Sequence, residues 1–126
     1  ATRPGALVLA SRGPEAWTSF PRIQQRCEAV LHEFLLDTIG VQGDFSYGPF
    51  VVDADQAERL DELDEDLGWG WRIFLFASVT RSGGDLVFLP LASPCPPDQR
   101  DETPDERRHR TRQLSQNLSG LVRAMG

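Results

Sequence analysis

Two histidines, two cysteines and a dense run of carboxylates are the side chains of this 126-residue chain best suited to catalysis or metal binding. Nucleophilic catalysis needs a nucleophile, a base held beside it and a group that orients the base. His32 falls opposite Ile23 on a helix, about 180° round at roughly 100° per residue, which points it to solvent. His109 lies in Arg107-Arg108-His109-Arg110, where neighbouring cations disfavour its charged form. Neither is the setting of a buried, oriented base, and both are expected on the surface. No Gly-x-Ser-x-Gly elbow and no Cys–His signature occurs. Cys27 and Cys95 stand far apart and outside any metal spacing. Cys27 is expected on an apolar helix face and Cys95 in the loop Ser93-Pro94-Cys95-Pro96-Pro97. Two thiols in a chain large enough to fold on its own core do not make a disulfide scaffold, and they favour a reducing, cytoplasmic compartment.

Phosphate chemistry has little support. The dinucleotide glycine pattern and the Walker pattern are both missing. The turn Arg81-Ser82-Gly83-Gly84 is the best anion-binding candidate, and a plain hairpin explains it as well. Asp53, Asp55 and the acids to Asp66 resemble a calcium loop only loosely. The glycine required at the sixth position is Glu58, so the sharp turn is lost. Paired carboxylates also serve in glycoside hydrolysis. One of the pair must then be buried, and this tract is too charged to be dry. No metal and no cofactor is expected.

Two features remain. Between Asp53 and Asp66 stand eight acids (Asp53, Asp55, Glu58, Asp61, Glu62, Asp64, Glu65 and Asp66) against one base, Arg59, a net −7. Between Arg107 and Gly126 stand five arginines (Arg107, Arg108, Arg110, Arg112 and Arg123) and no acid. Asp61 to Asp66 would crowd the C-terminal half of a helix, where the macrodipole favours cations. An arginine partner in the fold, a second chain or solvent would offset that. The second feature is Trp69-Gly70-Trp71. On a strand both indoles project from one face, where they can floor a ligand pocket, anchor a partner or close the core.

The elements that would position these residues follow from periodicity. Gly5–Arg12, continuously apolar from Ala6 to Ala10, reads as a strand covered on both faces. Pro21–Ile39 reads as a helix with Ile23, Cys27, Val30, Leu31, Phe34, Leu35 and Ile39 on one face. Thr18 or Ser19 would cap it, and Gly40 follows its end. Phe50–Val52 is a short β-prone run. Asp53 to about Leu67 reads as a second helix with a narrow seam of Ala57, Leu60, Leu63 and Leu67, opened by an Asp cap with Gln56 three residues on. Trp71–Thr80 reads as a central strand. It pairs through the turn Ser82-Gly83-Gly84-Asp85 with a strand Leu86–Ala92, whose Pro90 belongs at an edge. Residues 93–104 form a flexible Pro-rich loop. Pro104 or Asp105 starts a last helix reaching about Ala124, with Leu114, Leu118, Leu121, Val122 and Met125 on its apolar face. The expected order is β-α-β-α-β-β-α, a single α+β domain over 1–126 with a mixed sheet of about four strands and three helices. A parallel crossover is allowed between the first two strands.

Composition sets the outer bounds. The chain is 40% hydrophobic and 25% charged, which excludes collagen-like, coiled-coil and wholly disordered classes. No apolar run is long enough for a membrane span, and Ala6–Ala10 is too short for a secretory leader. A net charge of −6 argues against nucleic acid. All 13 basic residues are arginine, as a GC-rich coding sequence produces. The expectation is therefore a cytoplasmic, non-catalytic module that binds another protein or a second copy of itself. The residues expected to carry it are Asp61, Glu62, Asp64, Glu65, Asp66, Trp69, Trp71, Arg107, Arg108, Arg110 and Arg112. The alternative is a small-molecule-binding protein or enzyme with its pocket near Trp69 and Trp71.

Overall fold

The computed structural model describes residues 6–91 and 93–126. Gly5 and Ala92, ends of the expected first and last strands, lie outside them. The fold is α+β. Strand β1 (Leu7–Ala10) is the centre of a three-stranded mixed sheet in the order β2-β1-β3. β2 (Phe50–Val51) runs antiparallel to β1, and β3 (Leu86–Leu89) runs parallel to it. The short helix α1 (Pro14–Thr18) and the long helix α2 (Arg22–Ile39) lie between β1 and β2. The four-residue helix α3 (Ala54–Ala57), a 3-10 turn (Glu58–Glu62) and helix α4 (Gly70–Arg81) lie between β2 and β3. A second 3-10 turn (Pro97–Gln99) precedes helix α5 (Pro104–Met125).

Side chains alternate across the sheet. Leu7, Leu9, Phe50, Leu86 and Phe88 turn to the core with Leu31 and Leu35 of α2, Ile73, Phe76 and Val79 of α4, and Leu121 of α5. On the opposite face Val8 pairs with Val51 on one side and Val87 on the other, and Ala10 pairs with Leu89. Val51, Val87 and Leu89 are exposed.

Three expectations are corrected. Trp71–Thr80 is not a strand but the body of α4. Ile73, Phe74, Leu75, Phe76, Ala77 and Val79 are all buried, so this helix is apolar all round. A short, wholly apolar run does not distinguish a buried helix from a buried strand by period, and its length is what favours the helix. The supposed hairpin turn is its C-terminal cap. Gly83 takes φ +91°, its N–H donates to the Thr80 carbonyl and that of Gly84 donates to Val79. This is the left-handed ending that helices favour. β3 consequently pairs parallel with β1, and β1 pairs antiparallel with β2. Among the described residues the sheet thus has three strands rather than about four, and there are five helices rather than three.

Second, the expected helix over Asp53–Leu67 covers only α3 and the 3-10 turn. Asp53 does cap it, accepting from Gln56 N–H at 2.8 Å. At Leu63 the backbone turns extended. Acids from Asp61 onward oppose the dipole at the helix C-terminus and have no wide apolar stripe to hold them. Third, the apolar face of α2 is narrower than its pattern. Leu31 and Leu35 are buried, but Phe34 is 49% exposed and Val30 38%. Neither Thr18 nor Ser19 caps α2. Pro21 holds that position, and Glu102 from the loop before α5 accepts from Ile23 N–H at 2.6 Å.

Candidate functional site

Of the expected partner-binding residues, Glu65, Asp66, Trp69, Trp71 and Arg112 border connected surface beside α5, while Arg107 and Arg110 line other parts of the molecule. Trp69 precedes α4 and Trp71 sits in its first turn. They are 44% and 38% exposed. With Gly68 they face His109, Arg112, Gln113 and Gln116 of α5 across a cleft of about 450 Å³. The Arg72 guanidinium stacks 5.0 Å from the Trp69 ring, and Trp71 packs against Phe50 at 5.9 Å. The tryptophans therefore have inner contacts as well as open faces.

The cleft continues, through the shared Gln116, into a groove of about 790 Å³. Glu65 and Asp66 form one wall. Leu114, Leu118 and Val122 of α5 contribute apolar surface to the other, with Arg123 at its end. The Asp66 carboxylate accepts from Gly68 N–H at 2.8 Å, and Trp69 N–H donates to Gln116 at 3.3 Å. The end of the acidic segment is thus tied to α5 through Gln116, and Arg123 of α5 donates to the Glu62 carbonyl at 3.2 Å. The structure does not bring the acids and the arginine cluster together. Among the described residues no carboxylate from Asp61 to Asp66 forms an ion pair. Arg108 pairs instead with Asp105, and Arg110 with Glu106 at 2.6 Å. Arg107 joins Arg22, Arg26 and Glu102 around the start of α2. Arg112 faces the tryptophan cleft.

Sequence reasoning missed a second constellation, at the end of β1. Arg12 is buried. Its Nε and one terminal nitrogen donate to the Asp44 carboxylate at 2.8 Å each, and its backbone N–H donates there at 3.0 Å. That terminal nitrogen also donates to Glu28 at 2.8 Å. The rings of Trp17, Phe20 and Tyr47 enclose the guanidinium, at 4.7, 4.7 and 5.6 Å. Its remaining terminal nitrogen is buried and has no hydrogen-bond partner among the described residues. Burial works against the Arg12 charge, but bonds to Asp44 and Glu28 outweigh it and raise its pKa. Burial would raise the Asp44 carboxyl too, and the Arg12 bonds hold it below the ordinary value instead. For Glu28 burial prevails over Arg12, and its pKa rises.

His32 is part of this network and not a surface residue. Its Nε2 accepts from Phe45 N–H at 3.2 Å and lies 2.9 Å from the Ser46 hydroxyl, 3.7 Å from Asp44. Burial lowers its pKa to about 4. It is opposite Ile23, but Ile23 is not the centre of the buried face: at roughly 100° per residue His32 flanks Leu31 and Leu35, which are buried, and the 43–48 loop folds back over that side. The two carboxylates and His32 are engaged with Arg12 and backbone, so the cluster fastens β1, α2 and the loop together. Both thiols are free, and burial raises the pKa of each. That weakens any nucleophilic role. Cys95 is buried, with its N–H donating to Ser19 at 2.7 Å, so the Pro-rich loop is anchored near its start. Among the described residues no three His, Cys, Asp or Glu side chains are placed to hold a metal ion. No helix there is long and apolar enough to cross a membrane. No protein-family model matches the chain, and neither a curated protein nor a solved structure matches it.

Proposed function

We propose that this chain is a non-catalytic interaction module of the cytoplasm that docks another protein along α5. One observation carries the reading. The tryptophan pair, Arg112 and the acids Glu65 and Asp66 border one continuous surface, linked through Gln116. Half-exposed tryptophans beside an arginine are the residue types that anchor interfaces. Acids left without an ion partner in their own chain suit a partner segment with basic residues beside apolar ones. Such a contact sits at the rim, is worth about 1 kcal/mol or less per pair, and weakens with salt.

The experiment changes Glu65 and Asp66 to Gln and Asn in one variant, and Trp69 to Ala in another. Capture from the native host is then compared at low and high salt, with urea unfolding alongside. The expected result is loss of captured protein at nearly unchanged stability, with the acid variant mimicking high salt. Unchanged capture in both variants overturns the reading, and purely self-associated chain in the captured fraction replaces the partner with a second copy. A second reading, a small-molecule site, is favoured by the cleft itself. Its volume of about 450 Å³ lies within the roughly 300–1,000 Å³ of ligand pockets. Quenching of Trp69 and Trp71 fluorescence by members of a metabolite set, lost in Arg112→Gln, would support that reading over the first.

A further inference from the structure

A small polar cavity of about 40 Å³ lies between α2, α4 and α5, apart from the cleft and groove described above. Its polar lining comes from Gln24, Cys27 and Glu28 of α2, Ser46 of the following loop, whose hydroxyl is bonded to His32, Arg72 of α4, and Arg110, Gln113 and Asn117 of α5. Most of these groups are already satisfied. Glu28 accepts from Arg12 on one oxygen and from Gln24 on the other. Arg110 donates to Glu106 and to the Gln113 carbonyl oxygen.

Two groups are not. Asn117 is only 8% exposed, and its Oδ1 is buried with no hydrogen-bond partner among the described residues. The Arg72 Nε is buried and equally unpartnered. Arg72 forms no ion pair with any described residue; its guanidinium stacks on the Trp69 ring. Burial lowers its pKa, and Glu28, which lines the same cavity and is already bonded to Arg12 and Gln24, only partly restores it. A buried donor or acceptor left unmade costs stability, and a withdrawn charge without a partner costs more.

The missing partner must accept a hydrogen bond at Arg72 and donate one to Asn117. Water does both, and so does an oxyanion that keeps a proton. Charge separates them: an anion compensates the guanidinium, and water does not. Size limits the anion. One water needs roughly 10–15 Å³, so the cavity holds about three waters or one small planar oxyanion. We propose that this cavity binds a small proton-bearing oxyanion of hydrogen carbonate size, its charged oxygens on Arg72 Nε and its hydroxyl on Asn117 Oδ1. Gln113, whose carbonyl oxygen serves Arg110, has its amide nitrogen left to donate as well.

The test uses the whole chain and three sodium salts at equal ionic strength: hydrogen carbonate, nitrate and chloride. Nitrate has nearly the same shape and no proton to donate. Thermal unfolding is followed with increasing salt, and the Arg72 Nε–H resonance is followed by NMR. Hydrogen carbonate is expected to raise the melting temperature saturably, by at least about 3 °C, and to shift that resonance. Nitrate is expected to bind at least about tenfold more weakly, and chloride to reproduce neither effect. Arg72→Gln should abolish the response. Asn117→Leu fills the acceptor position with an apolar group of similar size, so it should fold, bind the anion and lose its preference over nitrate. A saturable response to none of the salts leaves the cavity to water and overturns the proposal. So does a response unchanged in Arg72→Gln, or a preference unchanged in Asn117→Leu.

Discussion

The Nε2 atom of His32 accepts from Phe45 N–H, so the native imidazole is neutral with its proton on Nδ1. Burial disfavours the charged ring, nearby Arg12 adds to that and Asp44 only partly offsets it, so its native pKa falls from 6.5 to about 4. The unfolded chain binds the proton first as pH falls. Stability should be flat above about 6.5 and fall by roughly 3 kcal/mol toward pH 4. Asp44, lowered in the native state, deepens the loss as pH falls further, and Glu28, raised, opposes it. Urea midpoints across pH 4–8 measure the slope, and His32→Gln, which keeps an acceptor for Phe45, should flatten it between 4 and 6.5. Neighbouring positions on α2 provide a second residue-scale contrast. Leu35 is fully buried and Phe34 half-exposed. Leu35→Ala should cost about 2–5 kcal/mol and Phe34→Ala about 1 kcal/mol or less. Equal losses in chemical denaturation would mean that the α2 face is turned from where it lies.

Among the elements, α2 and α5 were legible because each carries one apolar stripe against a polar remainder. β1 was legible from a short apolar run ended by Gly13-Pro14. α4 was not, because Phe74 and Phe76 are as buried as Ile73 and Leu75, and a helix covered on every side has no polar face to mark its period. The Arg12 network was invisible for another reason. Its members are 16 and 32 positions apart, and only the fold makes them neighbours. One hint existed: a lone arginine directly after an apolar strand, with Trp17 and Phe20 close behind. At the end of α4, Gly83 holds φ +91° with open space around it. Gly83→Ala should therefore cost about 1 kcal/mol from backbone strain alone. Thermal unfolding of this variant measures that cost.

For the whole molecule, the segregated charge was plain in the sequence and its pairing was not. Arg108 and Arg110 are absorbed by acids of their own helix, which leaves Arg107 and Arg112 as the more available pair. A variant with both changed to Gln should lose association more than stability. The change in association should shrink as salt rises, since screening sets in at about 10 Å near 0.1 M. Sedimentation and urea unfolding at two salt concentrations separate the outcomes. A large loss of stability with unchanged association makes the cluster structural. The open sheet face was legible only in part. Val8, Val51 and Val87 were each read as strand residues, but which side of the sheet the helices cover depends on the register that pairs them.

The crossing of α4 and α5 constrains how this chain can change over time. A Cβ on Gly70 would meet the backbone oxygen of Gln116, and one on Gly120 would meet that of Gly70. In each case the obstacle is main chain, which no substitution elsewhere removes. Most packed pairs drift together, one side chain shrinking as its neighbour grows. These two positions cannot trade in that way, because neither gain is repaired by any residue choice at the other. Distant relatives of this fold should then diverge almost everywhere along α4 and α5 while keeping both glycines, 50 positions apart, fixed independently rather than in tandem.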